Sequence, residues 1–117
     1  MIVIYTTHGN MSSKKAKEFF MLHKKKFVEK NVQTAKLSKK EIRNVLTKCE
    51  NGTEDIISTR SLPYKAIKEK IEDMKLEELI GFIQNKPNIL KLPIIMNDEF
   101  LLTGWDDDEI EMAYRMQ

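Results

Sequence analysis

Three groups of residues in this 117-residue chain have the types and spacing to support chemistry. The first is the run Thr6–Thr7–His8–Gly9–Asn10–Met11–Ser12–Ser13, which leaves the apolar segment Ile2–Val3–Ile4–Tyr5 and enters a helical pattern. Backbone N–H groups converge at such a strand-to-helix passage, and the helix dipole lowers the cost of an anion or a thiolate there. The run supplies four hydroxyls, Thr6, Thr7, Ser12 and Ser13, and one base, His8, but neither thiol nor carboxylate. The second group is a single thiol, Cys49, and the third is Asp106–Asp107–Asp108–Glu109, whose carboxylates could ligate a cation.

These residues take their meaning from the elements that must position them. Ile2–Tyr5 is a β-branched run that reads as a buried strand. Ser12 or Ser13 suits an N-cap, with Ala16, Phe19, Phe20 and His23 following at helical spacing. His23 is then a packed or half-exposed residue near a helix end rather than a catalytic base. Phe27–Val32 alternates partially and forms a second strand, parallel to the first across the intervening helix. Ser38 and Glu41 make a capping box, and Ile42, Val45, Leu46 and Cys49 line one helix face. Nothing basic shares that face, so Cys49 reads as a small core side chain. Asn51–Gly52 ends the helix through a left-handed glycine.

Leu62–Pro63 interrupts the chain, and a short helix is expected over Tyr64–Ile71. Leu76, Leu79, Ile80 and Ile83 form a further apolar face that stops at Lys86–Pro87. Pro93–Met96 and Phe100–Thr103, joined by Asn97–Asp98–Glu99, read as a hairpin. The acidic run is the first turn of a last helix through Ile110, Ala113 and Tyr114, and without a second ligand cluster capping accounts for it better than metal binding. The order βαβ, helices, ββα describes one α/β domain: a thioredoxin-like core over about 1–34 and 89–117, with a helical insertion over about 35–88.

Composition narrows the function. Hydrophobic residues make up 41% and charged residues 32%, a balance typical of folded domains rather than disordered ones. The opening apolar run is too short for a leader or a membrane span. One cysteine allows no internal disulfide and no zinc spacing, so neither metal nor cofactor is expected, and a reducing cytoplasm is. Charge is uneven: residues 1–50 hold 12 Lys and Arg against 4 Asp and Glu, residues 51–117 hold 8 against 14. Lys14, Lys15, Lys17 and Lys24–Lys25–Lys26 read as solvated helix faces and ends, since no aromatics interleave them. DNA contact through this half would be weak and salt-sensitive, and no helix-turn-helix or zinc module is present.

Several stretches together carry a family likeness: IYTTHGN with SSKKA, then LSKKEIRNVL, NGTEDIISTRS, and LPII with NDEFLLTGWDDDEI. The chain resembles the arsenate reductase/Spx group of thioredoxin-like proteins, and specifically its Spx regulators, with GTEDIISTRS the most specific piece. The resemblance implies that a Cys-x-x-Cys redox switch, where present, falls on positions occupied here by Asn10 and Ser13. It also implies that the arginine with which reductases hold an oxyanion falls on Leu92, before Pro93. An oxyanion reductase needs a low-pKa thiolate and a cation. Asn, Ser and Leu supply neither, so no enzyme activity is expected.

What the resemblance leaves is a regulator of transcription that binds the C-terminal domain of the RNA polymerase α subunit as a monomer, with DNA touched only indirectly or weakly and no membrane partner. The glycine central to that contact matches Gly52, and a following arginine matches Arg60. A bare backbone at Gly52 lets a partner approach closely. Glu50, Glu54 and Asp55, with Thr53 among them, form an acidic cluster suited to a basic partner face. Gly52 as a plain helix cap remains open beside this, and Arg60 reads equally as an internal strut toward the old redox loop. Related regulators often end in a tail read by an ATP-dependent protease; this sequence ends Tyr114–Arg115–Met116–Gln117, so regulated degradation is not expected. The competing functional reading is a serine-dependent enzyme in which Ser12 or Ser13 stabilises a glutathione-type thiolate, although the helical domain that would complete its electrophile pocket has no room in the chain.

Overall fold

The β-branched runs of the sequence become strands, and the amphipathic runs become five helices among the described residues. The computed structural model describes residues 1–58 and 62–115. It divides into two compact units, Met1–Ala35 together with the chain from Leu92 onward, and Lys36–Lys91.

The first unit is built on a mixed four-stranded sheet of order β2-β1-β3-β4. Strand β1 (Ile2–Thr6) is followed by helix α1 (Met11–Leu22) and strand β2 (Phe27–Asn31). The crossover makes β1 and β2 parallel, with Ile2 opposite Phe27 and Thr6 opposite Asn31. Strands β3 (Ile94–Met96) and β4 (Leu101–Thr103) form the expected hairpin, and β3 lies antiparallel to β1 with Ile4 opposite Ile95. The hairpin turn is fixed by Asn97, whose Oδ1 accepts the N–H groups of Glu99 (2.8 Å) and Phe100 (3.0 Å). Ile2, Ile4 and Ile95 bury one sheet face against Ala16 and Phe20 of α1 and Ile110 of the last helix, α5 (Asp107–Arg115). Removing these side chains from water is the main stabilisation of the unit, on the order of 2 kcal/mol for each large one. The acidic run opens α5 as the dipole requires. Asp106 Oδ1 accepts the Glu109 N–H (3.0 Å), and Asp107 accepts the Trp105 indole N–H (2.7 Å). His23 closes α1, its ring packed at a tilt against Phe19 (4.3 Å between centroids) and Tyr114 (4.6 Å).

The second unit is helical. Helix α2 (Lys39–Thr47) is capped by Ser38, whose Oγ accepts the Glu41 N–H at 3.0 Å. Its Ile42 and Val45 are buried, as are Leu79, Ile80 and Ile83 of α4 (Leu76–Asn85). Arg43 and Glu77 join the two helices at 2.6 Å. Helix α3 (Leu62–Asp73) lies between them in sequence, and short 3-10 turns occupy Thr53–Asp55 and Pro87–Ile89. Among the described residues no helix is long and apolar enough to cross a membrane.

Four local expectations are corrected. The N-cap of α1 is Asn10, not Ser12 or Ser13: its Oδ1 accepts the Ser13 N–H at 2.7 Å, and Ser13 itself lies inside the first turn. Helix α3 starts at Leu62 rather than Tyr64 and runs to Asp73, because Pro63 occupies the second helical position, where a missing N–H loses no partner. Strand β2 stops at Asn31, one residue short, although the Val32 N–H still bonds the Thr6 carbonyl (2.9 Å). Helix α2 ends at Thr47, so Cys49 lies beyond it and Gly52 is not its cap.

Candidate functional site

The strand-to-helix loop folds into a cleft of about 380 Å³ lined by Thr6, His8, Asn10, Ser13, Lys17 and Glu29 among others. Gly9 turns the chain with φ of +78°, which delivers Asn10 to the head of α1. Asn10 then uses both its oxygens: Oδ1 on the Ser13 N–H and the carbonyl on the Lys14 N–H (3.2 Å). Ser13 is 2% exposed, and its Oγ is approached by the Thr7 N–H at 3.4 Å. A buried hydroxyl occupied in this way is poorly placed to hold a substrate thiolate, whereas Ser12, the other serine of that reading, is half-buried.

The sequence reading missed the charged part of this cleft. The Thr6 hydroxyl, itself buried, donates to Glu29 Oε2 (2.7 Å), and the Lys17 ammonium meets the same oxygen at 3.0 Å. Burial alone would raise the Glu29 carboxyl, but the Thr6 hydrogen bond and the Lys17 ammonium outweigh it and hold it below the usual carboxylate range. The parallel register carries the signal: Glu29 and Asn31 alternate onto one side of β2, and Asn31 stands opposite Thr6. Leu92 is buried, so the position expected to lack an anion-holding cation carries an apolar side chain packed inside.

The second candidate region follows α2. Cys49 is half-buried, and its Sγ donates to the Val45 carbonyl (3.5 Å). Burial, and then the charge of Asp55, push its thiol up to about 11, the opposite of a reactive cysteine. Gly52 stands at the head of the Thr53–Asp55 turn with φ of +84° and ψ of −161°, a conformation essentially reserved for glycine. A Cβ built there would meet nothing within 4 Å. Glu50 and Glu54 are exposed, while Thr53 and Asp55 are half-buried. Asp55 also braces the turn, with Oδ2 accepting the Asn51 N–H (3.0 Å) and its own N–H donated to the Gly52 carbonyl (3.1 Å). Five of the six residues singled out from the sequence, Glu50, Gly52, Thr53, Glu54 and Asp55, thus share one turn. Arg60 lies outside the described residues.

The model of the ArsC family matches residues 5–113. The chain belongs to the ArsC family. Within it, the chain is 38% identical over 110 residues to the global transcriptional regulator Spx 1 of Lactococcus lactis, covering 94% of this chain and 86% of that one. It is 36% identical over 121 residues to the global transcriptional regulator Spx of Streptococcus pneumoniae, covering 100% and 91%. Among solved structures it superposes on an arsenate reductase from Vibrio cholerae with a TM-score of 0.80 at 12% identity, covering 99% and 97% of the two chains. That likeness establishes the thioredoxin-like ArsC fold; the regulators named Spx are the relatives in sequence.

Proposed function

We propose that this ArsC-family chain is an Spx-type transcription regulator that docks on the C-terminal domain of the RNA polymerase α subunit in the cytoplasm, without thiol redox sensing and without catalysis of its own. The observation that carries the reading is the Gly52 turn. A glycine-only backbone conformation, open space where a side chain would stand and exposed carboxylates at Glu50 and Glu54 together offer bare main chain to a partner with a basic surface. Arg60 enters the proposal from the sequence likeness, as a residue that supports or touches the same interface. Asn10 and Ser13 are proposed as the vacated switch positions. In place of thiols they carry a helix cap and a buried hydroxyl.

Titration calorimetry of the purified chain against the purified α C-terminal domain tests this. A dissociation constant below about 100 μM is expected, corresponding to at least ~5 kcal/mol. The Glu50→Lys, Glu54→Lys double variant should weaken it at least tenfold. No heat at that concentration, or an affinity indifferent to both reversals, refutes the interface.

A further inference from the structure

The Gly52 turn is held from behind by Lys91, whose Nζ donates at 3.0 Å to the carbonyl of Glu54, 37 positions earlier in the sequence. The main chain makes a clip just beyond the turn. Ile57 and Leu90 form an antiparallel bridge, the Ser58 N–H bonds the Ile89 carbonyl (2.8 Å), and the Lys91 N–H bonds the Ile56 carbonyl (2.7 Å). Ile56, Ile57, Ile89 and Leu90 are all buried, so the clip is anchored by apolar packing as well as by its main-chain bonds. Its last main-chain bond stops at Ile56, and the Lys91 side chain extends the hold two residues further, onto Glu54. A charge-assisted bond from an ammonium is among the stronger single ties available to a turn.

We infer that Lys91 is a positioning residue for the docking turn, acting through the Glu54 main chain to fix how Gly52 and Glu54 are presented to a partner. This rests on the docking reading above. The sign of its effect separates it from plain electrostatics. A cation bonded to the Glu54 main chain lowers the acidity of the patch, so on charge alone its removal would strengthen binding to a basic partner. Positioning gives the reverse result.

The test is Lys91→Met, which keeps the length of the side chain and removes donor and charge, beside Lys91→Arg, which keeps both. Each is titrated against the α C-terminal domain, with amide exchange of Asp55 and Ile56 followed by NMR and the urea midpoint measured separately. Lys91→Met should bind about tenfold more weakly and exchange these amides several-fold faster at an essentially unchanged midpoint, and Lys91→Arg should return affinity to within about twofold. Unchanged or tighter binding by Lys91→Met overturns the positioning role. So does a loss that Lys91→Arg fails to restore, or one that follows a fall in the urea midpoint. Wild-type chain that does not bind at all overturns the docking reading instead, a result distinct from any of these.

Discussion

Replacing Gly52 and Gly81 by alanine, one at a time, should move stability in opposite directions for a reason that contacts alone do not contain. At both positions an added Cβ meets nothing within 4 Å, so neither substitution creates a clash. They differ in backbone. Gly81 sits in the interior of α4, where alanine lowers the entropy of the unfolded chain and stabilises by about 0.5–1 kcal/mol. Gly52 has φ of +84° and ψ of −161°, where an L side chain is strained by about 1–3 kcal/mol. Both lie in the Lys36–Lys91 unit, so one unfolding transition reports both. With a urea slope of about 1.5 kcal/mol per molar, the midpoint should fall by ~1 M for Gly52→Ala and rise by ~0.5 M for Gly81→Ala. Far-ultraviolet circular dichroism follows it, since three of the five described helices, α2, α3 and α4, belong to that unit. A neutral or stabilising Gly52→Ala would refute the assignment of strain to this turn, and a destabilising Gly81→Ala would refute the reasoning from backbone alone. The strain also bears on tests of docking. A bulky residue at Gly52 deforms the turn whether or not a partner touches it, so reversals at Glu50 and Glu54 are the cleaner probes.

Two further outcomes follow from the same geometry. Cys49, pushed up to about 11 from the ordinary 9.0, should hold about a hundredth of the usual thiolate at pH 8 and be alkylated by iodoacetamide about a hundredfold more slowly than a free cysteine. The folded state keeps a proton that the unfolded chain releases, so stability is intact below about pH 9 and declines as pH rises toward 11, a decline that Cys49→Ala should flatten; native alkylation at the free-thiol rate would contradict this. Asn10→Ala should cost about 0.5–2 kcal/mol through the lost cap of α1, while the half-buried Ser12 tolerates alanine within about 0.5 kcal/mol, both read from thermal unfolding. Equal costs at the two positions would return the cap to the serines.

Local chemistry was legible in the sequence and long-range register was not. The Ser38–Glu41 box, the acidic opening of α5 and the Asn97 turn each act within three residues, so type and spacing suffice. Asn10, Ser12 and Ser13 are all competent caps, and the choice among them depends on where β1 releases the chain and on the burial of Ser13. Asn51–Gly52 announced a turn, but its assignment as a helix cap failed because α2 stops at Thr47, two residues before Cys49 could join its apolar face. The Thr6–Glu29–Lys17 cluster and the Lys91–Glu54 tie join residues brought together by strand pairing and by the clip, and nothing in local patterning announces either.

The two candidate regions differ in how their polar groups are presented. At the head of α1 the groups that would attract an anion are partly satisfied from within: Asn10 takes the Ser13 and Lys14 N–H groups, and Glu29 holds Lys17. That loop is stabilised by its own contacts. At Gly52 the chain adopts a glycine-only conformation on an exposed turn, and the surrounding bonds from Asp55 and Lys91 hold the main chain in place without covering it. Glycine takes that conformation at little cost where any L side chain would be strained, and the turn is braced from behind and left open in front. A partner that reads this turn would account for a glycine kept there, and docking is proposed for the segment after α2 rather than for the opening loop because the groups beside Gly9 are taken up by Asn10 and Glu29, while Glu50 and Glu54 stand exposed beside Gly52.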